Sequence, residues 1–289
     1  MEGTVFVVAI DFGTAHSGYC FCVKSLAQNI RSVCWGVEHG LRTLKTPTCI
    51  MFDKHGEFVK FGHDAVFLYK RMGKGEAKMN YFFENFRMDL YNKNISRHLM
   101  ITAKNGKPFS ALKVFSESLR YMKDHALKTI KDHTAGKAFT ASNITWVLTV
   151  PAIWDAPAKQ FMREAATQAG LVTELNSEKL ILATEAEAAL VWCKQLPQDG
   201  FITEELSEGT LEHSPGTQYI VVDYGAETTD ITVLEVLENE SLKVLHSASG
   251  GDMGGNTVDL KFKSILRDIF QPKEGPGTVW LKVYCSMPH

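Results

Sequence analysis

Long apolar runs are missing from this 289-residue sequence: none reaches the about 18 consecutive apolar residues of a membrane-spanning helix. The first ten residues are apolar but carry Glu2 in place of a basic n-region, with no small-residue cleavage site behind them, so they read as a strand. An excess of one charge is missing too, with 31 Lys and Arg against 33 Asp and Glu and no basic cluster interleaved with aromatics. That balance removes the electrostatic footprint of a nucleic-acid binder. Cysteine is sparse and scattered, at Cys20, Cys22, Cys34, Cys49, Cys193 and Cys285. Cys20 and Cys22 would point to opposite faces of a strand, which suits neither one metal nor a disulfide framework; reduced thiols in a cytoplasmic chain are the expectation. Neither G-x-x-x-x-G-K-[ST] nor G-x-G-x-x-G occurs, which excludes a P-loop or dinucleotide fold. A G-x-S-x-G nucleophile elbow and a His/Cys cluster at metal spacing are likewise absent.

What is present is an ordinary core composition, 45% hydrophobic and 22% charged, and one turn offered twice. Residues 5–10 form an apolar run feeding Asp11-Phe12-Gly13-Thr14, and residues 220–222 feed Asp223-Tyr224-Gly225-Ala226-Glu227-Thr228-Thr229-Asp230. Each reads as a buried strand ending in Asp-x-Gly, with a hydroxyl residue close behind and a second strand-like run following. Phosphate needs converging N–H donors, and a glycine turn supplies them by letting backbone approach without a Cβ in the way. Gly13 with Thr14 and Ala15 can do this on one side, Gly225 with Ala226, Thr228 and Thr229 on the other, and Gly254 with Gly255 offers a third approach. Magnesium takes one or two carboxylates plus waters and substrate phosphates, a role that Asp11 and Asp223 at two strand ends would fit; either alone reads equally well as a turn cap. His16 can contact phosphate or simply support the turn. Glu185 lies in an Ala-rich segment where an exposed Glu would be unremarkable.

Periodicity organises the rest. Residues 5–10 and 17–23 predict adjacent antiparallel strands, and 33–37 a third. Residues 42–108 change character and read as an inserted subdomain with an aromatic patch at Tyr81, Phe82, Phe83 and Phe86. Apolar spacing predicts a helix over 110–133, then a strand over 146–150 stopped by Pro151. Asp155 is placed to cap a helix with Pro157 in its first turn and Gly170 at its end. Residues 183–194 read as helix, 198–216 as an acidic loop, and 219–222, 229–236 and 242–247 as a three-strand meander before a helix over 257–270. A short apolar run, 279–284, follows. The pattern predicts a mixed α/β architecture with two related cores: a first lobe over 1–190, a linker over 191–216, a partial second lobe over 217–270 and an atypical tail over 271–289.

These segments resemble the heat shock protein 70 family of the actin-like ATPase superfamily. Ala9-Ile10-Asp11-Phe12-Gly13-Thr14 is similar to its first phosphate loop, Trp146-Val-Leu-Thr-Val-Pro-Ala152 to its Thr-Val-Pro-Ala strand, and Leu182-Ala-Thr-Glu-Ala-Glu-Ala-Ala189 to its connecting helix. Residues 222–230 are similar to the second phosphate loop and 250–255 to the Gly-Gly turn after it. The flavour of the motifs is most similar to the divergent member 12 branch. The resemblance, covering residues 4–270, implies an actin-like ATPase (ribonuclease H-like) fold with ATP or ADP and Mg²⁺ held between two lobes. It implies Asp11 and Asp223 as metal-proximal carboxylates acting through water, and Gly13, Thr14 and Ala15 facing Gly225, Ala226, Glu227 and Thr228 around the phosphates. Glu185 would be the carboxylate near metal and water, and Pro151 the proline coupling nucleotide state to lobe movement. Arg87, with Lys70 as the weaker match, would stand for the lysine that positions the attacking water.

Departures temper the implied hydrolysis. The family's second loop reads Asp-x-Gly-Gly-Gly-Thr, and here Ala226 and Glu227 replace two glycines. Ala226 would be strained if positive φ were needed, and Glu227 would bring negative charge toward phosphate. A complete domain of the family is longer, so the second lobe is expected to stop before its adenosine-binding segment and expose apolar sheet surface, with 271–289 reading as a frame-changed, spliced or mis-joined end. The expected function is therefore that of an ATP-binding chaperone-like fragment with doubtful hydrolysis. The alternatives are a non-catalytic module that docks other proteins and a sugar-kinase relative.

Overall fold

The computed structural model describes residues 5–26, 29–90, 95–195, 214–239, 241–249 and 253–270. Fourteen strands and six α-helices lie among them. Strand β1 (Phe6–Phe12) is the hinge of the first sheet because every second residue is apolar and buried, Phe6, Val8, Ile10 and Phe12, while the opposite face is half-buried. It runs antiparallel to β2 (His16–Val23), with Asp11 opposite Gly18, and parallel to β10 (Ile144–Val150). Strand β11 (Leu180–Thr184) adds parallel to β10, and β3 (Arg31–Ser32) and β4 (Thr46–Pro47) pair with β2. The spatial order is β11-β10-β1-β2-β3.

Helices α3 (Ala111–His133) and α4 (Ala156–Gln168) pack on each other and close this sheet's core. Ser110 Oγ accepts from Lys113 N–H, and Asp155 Oδ1 accepts from Ala158 N–H at 2.9 Å, so both helices start on side-chain caps. Gly170, at φ 75°, supplies the left-handed residue after α4. Phe115 stands edge-on to Phe12, Phe86 and Phe161, with ring centroids 5.1–5.9 Å apart.

Between β4 and α3 the chain forms β5 (Cys49–Phe52), β6 (Phe58–Phe61), α1 (Gly62–Arg71), α2 (Lys74–Met79), β7 (Tyr81–Glu84), β8 (Met100–Thr102) and β9 (Pro108–Ser110). The β6-β5-β7 sheet alternates its allegiance. Ile50, Phe52, Phe61 and Phe83 join the main core, whereas Cys49, Met51, Ala65 and Phe82 make a small cluster of their own. Helix α5 (Glu185–Cys193) then leads to β12 (Gln218–Tyr224), β13 (Thr229–Val236) and β14 (Leu242–Ser249), an antiparallel meander followed by α6 (Gly255–Ile269).

Three expectations need correction. The third strand is β3, not 33–37; there Trp35 makes one bridge to Thr43, and Gly36 and Gly40, both at positive φ, bound a 3-10 turn. The helix expected over 183–194 loses its start to β11: Thr184 is extended and turns the chain by capping α5 reciprocally with Glu187. The strand at 220–222 is not buried, with Ile220 71% and Val222 58% exposed, because one face of the meander lies open. The acidic stretch over 198–213, the apolar run at 279–284 and the tail over 271–289 lie outside the described residues. Among the described residues no helix is long and apolar enough to cross a membrane.

Candidate functional site

The two turns meet. Thr14 of the first and Thr228 and Asp230 of the second line one pocket, with Arg87, Met88, Pro151, Ile153 and Trp154 completing its wall. Both turns are shaped by close backbone approach rather than by positive φ. A Cβ on Gly13 would collide with the His16 carbonyl, and one on Gly254 with the backbone of Ala226 and Glu227. The first turn is strapped from outside: Thr48 Oγ1 donates to the Gly13 carbonyl and Thr48 N–H to that of Ala15, both at 2.8 Å.

Asp11 and Asp223 sit at the ends of strands in two different sheets, yet their charges interact. Burial raises the Asp223 pKa, the like charges of Asp230 and Asp11 raise it further, and Lys45 and Arg87 oppose them. Asp230 lies opposite Asp223 in the β12–β13 ladder. One of its carboxylate oxygens, Oδ2, accepts from Thr228 Oγ1 at 3.3 Å, while Oδ1 is buried without a partner. Asp11 is fully engaged: Oδ2 holds the Lys45 ammonium at 2.5 Å and Oδ1 accepts from Thr149 Oγ1 at 3.2 Å.

Glu185 is brought to the same place as the first residue of α5. Its Oε1 accepts from Arg87 at 2.9 Å, and the guanidinium, only 4% exposed, also lies over the Trp154 ring at 5.2 Å. Burial raises the Glu185 pKa, and Arg87 counters that rise. Of these groups Asp230 and Arg87 line the pocket, while the charges of Asp11, Glu185 and Asp223 lie close enough to interact, four carboxylates against Lys45 and Arg87. Such an imbalance, together with the orphaned Asp230 oxygen, fits a divalent cation on the Asp223–Asp230 side.

The second turn is closed by donors from outside it. Gly254 N–H donates to the Glu227 carbonyl, Gly255 N–H to Gly225 and Asn256 N–H to Ala226, so α6 begins on the turn's own carbonyls. The Glu227 carboxylate accepts from Asn256 Nδ2, which ties it to α6. Ala226 does not adopt positive φ, so the strain expected from its Cβ is not there. Lys70, the weaker candidate for the water-positioning lysine, is exposed on α1 and belongs to no part of the pocket. Sequence reasoning gave Asp230 only as the end of the second motif and assigned no role to Lys45 or Trp154. Asp230 was within reach, because its place opposite Asp223 follows from hairpin register; Lys45 carried no signal.

Comparison with known proteins places the sequence in a family. Residues 7–278 match the family model described as Hsp70 protein. The chain is 37% identical over 307 residues to heat shock 70 kDa protein 12A of Mus musculus and 36% over 308 residues to heat shock 70 kDa protein 12B of Homo sapiens. Each alignment takes in 91% of this chain and 45% of the relative, so the chain spans just under half the length of these relatives. Among solved structures, a non-polymerisable quadruple mutant of the filament protein ParM aligns over 92% of this chain and 69% of its own, at 12% identity and a TM-score of 0.48. By the match of its sequence over nearly its whole length, the chain belongs to the Hsp70 family, with similarity to members 12A and 12B.

Proposed function

We propose that this chain is the phosphate-binding part of an Hsp70-like ATPase domain, taking ATP or ADP with Mg²⁺ between its two Asp-x-Gly turns. The observation that carries this reading is the shared pocket, in which Thr14 comes from one sheet's turn and Thr228 and Asp230 from the other's. Gly13, Thr14 and Ala15 would approach the phosphates on one side and Gly225, Ala226 and Thr228 on the other, with Gly254 and Gly255 behind the second turn. Asp223 and Asp230 would hold the metal through its waters, with Asp11 on the far side of the cluster. Bound there, Mg²⁺ would neutralise phosphate charge. Arg87, held by Glu185 and Trp154, would orient a phosphate oxygen. Residence in the cytoplasm and a part in the stress response accompany the family reading.

The Arg87–Glu185 pair favours a second reading, a non-catalytic module that docks other proteins. Arg87 holds Glu185 Oε1 and offsets part of the basicity that burial gives this carboxylate, so hydrolysis should be slow. Calorimetry with Mg-ATP on the 289-residue chain and its Thr228→Val and Asp230→Asn variants tests the site. Each variant should weaken binding by about fivefold or more, the loss of one charge-assisted contact. Equal affinities in all three proteins would move the ligand elsewhere, and no binding at all would leave the docking module as the reading.

A further inference from the structure

Lys45 reaches Asp11 along a path that the fold has prepared. It directly precedes β4, whose Thr46 and Pro47 pair with Ser17 and His16 of β2. The following Thr48 is fastened to the first turn at the Gly13 and Ala15 carbonyls and to Ser17 Oγ at 2.7 Å. The backbone that carries the ammonium is therefore fixed to the turn that would carry the phosphate. Gly18, opposite Asp11, completes the path. A Cβ on Gly18 would stand 2.8 Å from the Leu44 carbonyl oxygen and 3.2 Å from Lys45 Cγ, so the lysine stem lies where any other residue's side chain would begin. A half-exposed ion pair adds little to stability. Its importance here is its position, on a strand-end carboxylate whose two oxygens are engaged by Lys45 and Thr149.

We propose that Lys45 is a resident cation of the cleft, taking the Asp11 side of the carboxylate cluster in place of a metal and allowing phosphate oxygens to bind there without a divalent ion. This rests on the reading of the cleft as a phosphate site. A lysine ammonium is a compact charge with three donors, so it can hold Asp11 and still donate to an anion. The divalent ion is then confined to Asp223 and Asp230, and the two sides of the cluster have different cations.

Two measurements on the 289-residue chain test this, with circular dichroism checking the fold of each variant. In the first, Mn²⁺ alone is titrated and followed by electron paramagnetic resonance. Lys45→Met should bind Mn²⁺ at least about fivefold tighter than the parent, because a carboxylate is freed and a like charge removed. Adding Asp11→Asn to that variant should abolish the gain; no gain in Lys45→Met overturns the proposal. In the second, inorganic tripolyphosphate is titrated calorimetrically in EDTA. The parent should bind, Lys45→Met should lose about tenfold or more, Lys45→Arg should retain most of the affinity, and Gly18→Ala should lose it with the charge still present. Equal binding by the parent and Lys45→Met in EDTA also overturns the proposal. If no protein binds tripolyphosphate with or without Mg²⁺, the phosphate reading fails, and the Mn²⁺ titration still decides whether Lys45 occupies Asp11.

Discussion

Single residues set both the electrostatics of the cleft and the pH response of the core behind it. His125 on α3 is stacked on Trp35 at 4.3 Å between centroids, and its Nδ1 shares a 2.7 Å hydrogen bond with Tyr19 Oη. Burial lowers its pKa and nearby Lys128 adds to that, against a smaller opposing effect of Glu38. A base whose pKa is depressed on folding binds its proton more tightly in the unfolded chain, so stability is complete above about 6.5 and is lost as pH falls below it. His63, also depressed by burial, acts in the same direction. The urea midpoint should therefore drop between pH 7 and pH 5.5, and His125→Asn should flatten that slope; an unchanged slope would mean that other groups set it. Glu227 supports a second prediction. Its carboxylate is tied to Asn256, so Glu227→Ala should destabilise the start of α6 by about 1 kcal/mol, the ordinary worth of such a hydrogen bond, as read by denaturant titration followed in the helix signal. Glu227→Gln, which retains an acceptor, should restore most of it. Tighter tripolyphosphate binding in both variants would show instead that the charge reaches the phosphates.

At the scale of elements, the cleft depends on where strands hand over to turns and helices. Thr184 ends β11 and starts α5 through its reciprocal cap with Glu187, and the next residue is Glu185. Thr184→Ala should cost about 1 kcal/mol of stability, within the 0.5–2 range of lost caps. Because α5 then starts less firmly, Glu185 should release Arg87, and the fluorescence of Trp154 beneath that guanidinium should change; an unaltered spectrum would place the anchor elsewhere. This junction also marks what the sequence could and could not disclose. Strands β1, β2, β10 and the meander were legible because apolar runs bounded by turn residues are local signals, α3 because its apolar residues keep a helical spacing, and α4 because Asp155, Pro157 and Gly170 mark its ends. Strand β11 was not, since Leu180-Ile-Leu-Ala-Thr184 merges with the Ala-rich helix behind it and only its pairing with β10 separates the two. The Asp-x-Gly turns were legible as a pair. The lysine on Asp11 was not, because a charge in a loop acquires meaning only from Gly18 and Thr48 across the strand ladder.

Taken whole, the molecule is dry at one end and open at the other. The large apolar core draws on residues from Phe6 to Leu180, with Leu182 at its margin, and takes nothing from the meander or α6. On those elements Ile220, Val222, Tyr224, Leu260, Phe262 and Ile269 face solvent. Such a surface should bind the dye ANS, and replacing Ile220 and Val222 by lysine should reduce the signal without unfolding β1 or β10. A longer chain that carries the further residues of its relatives should bind less dye and more Mg-ATP. The uneven core also sets a timetable for opening. Amides of β1, β10 and α3 are held by the full cooperative unit and should exchange with deuterium only through global unfolding, whereas those of β12, β13 and β14 need just a local event. Exchange should then fall into two classes divided near residue 190, and calorimetric and van't Hoff enthalpies should disagree. The pocket lined by Thr14, Thr228 and Asp230 straddles that divide. One of its walls would be permanent and the other present only part of the time, so an anion bound there should slow exchange along the whole meander, beyond Thr228 and Asp230 themselves.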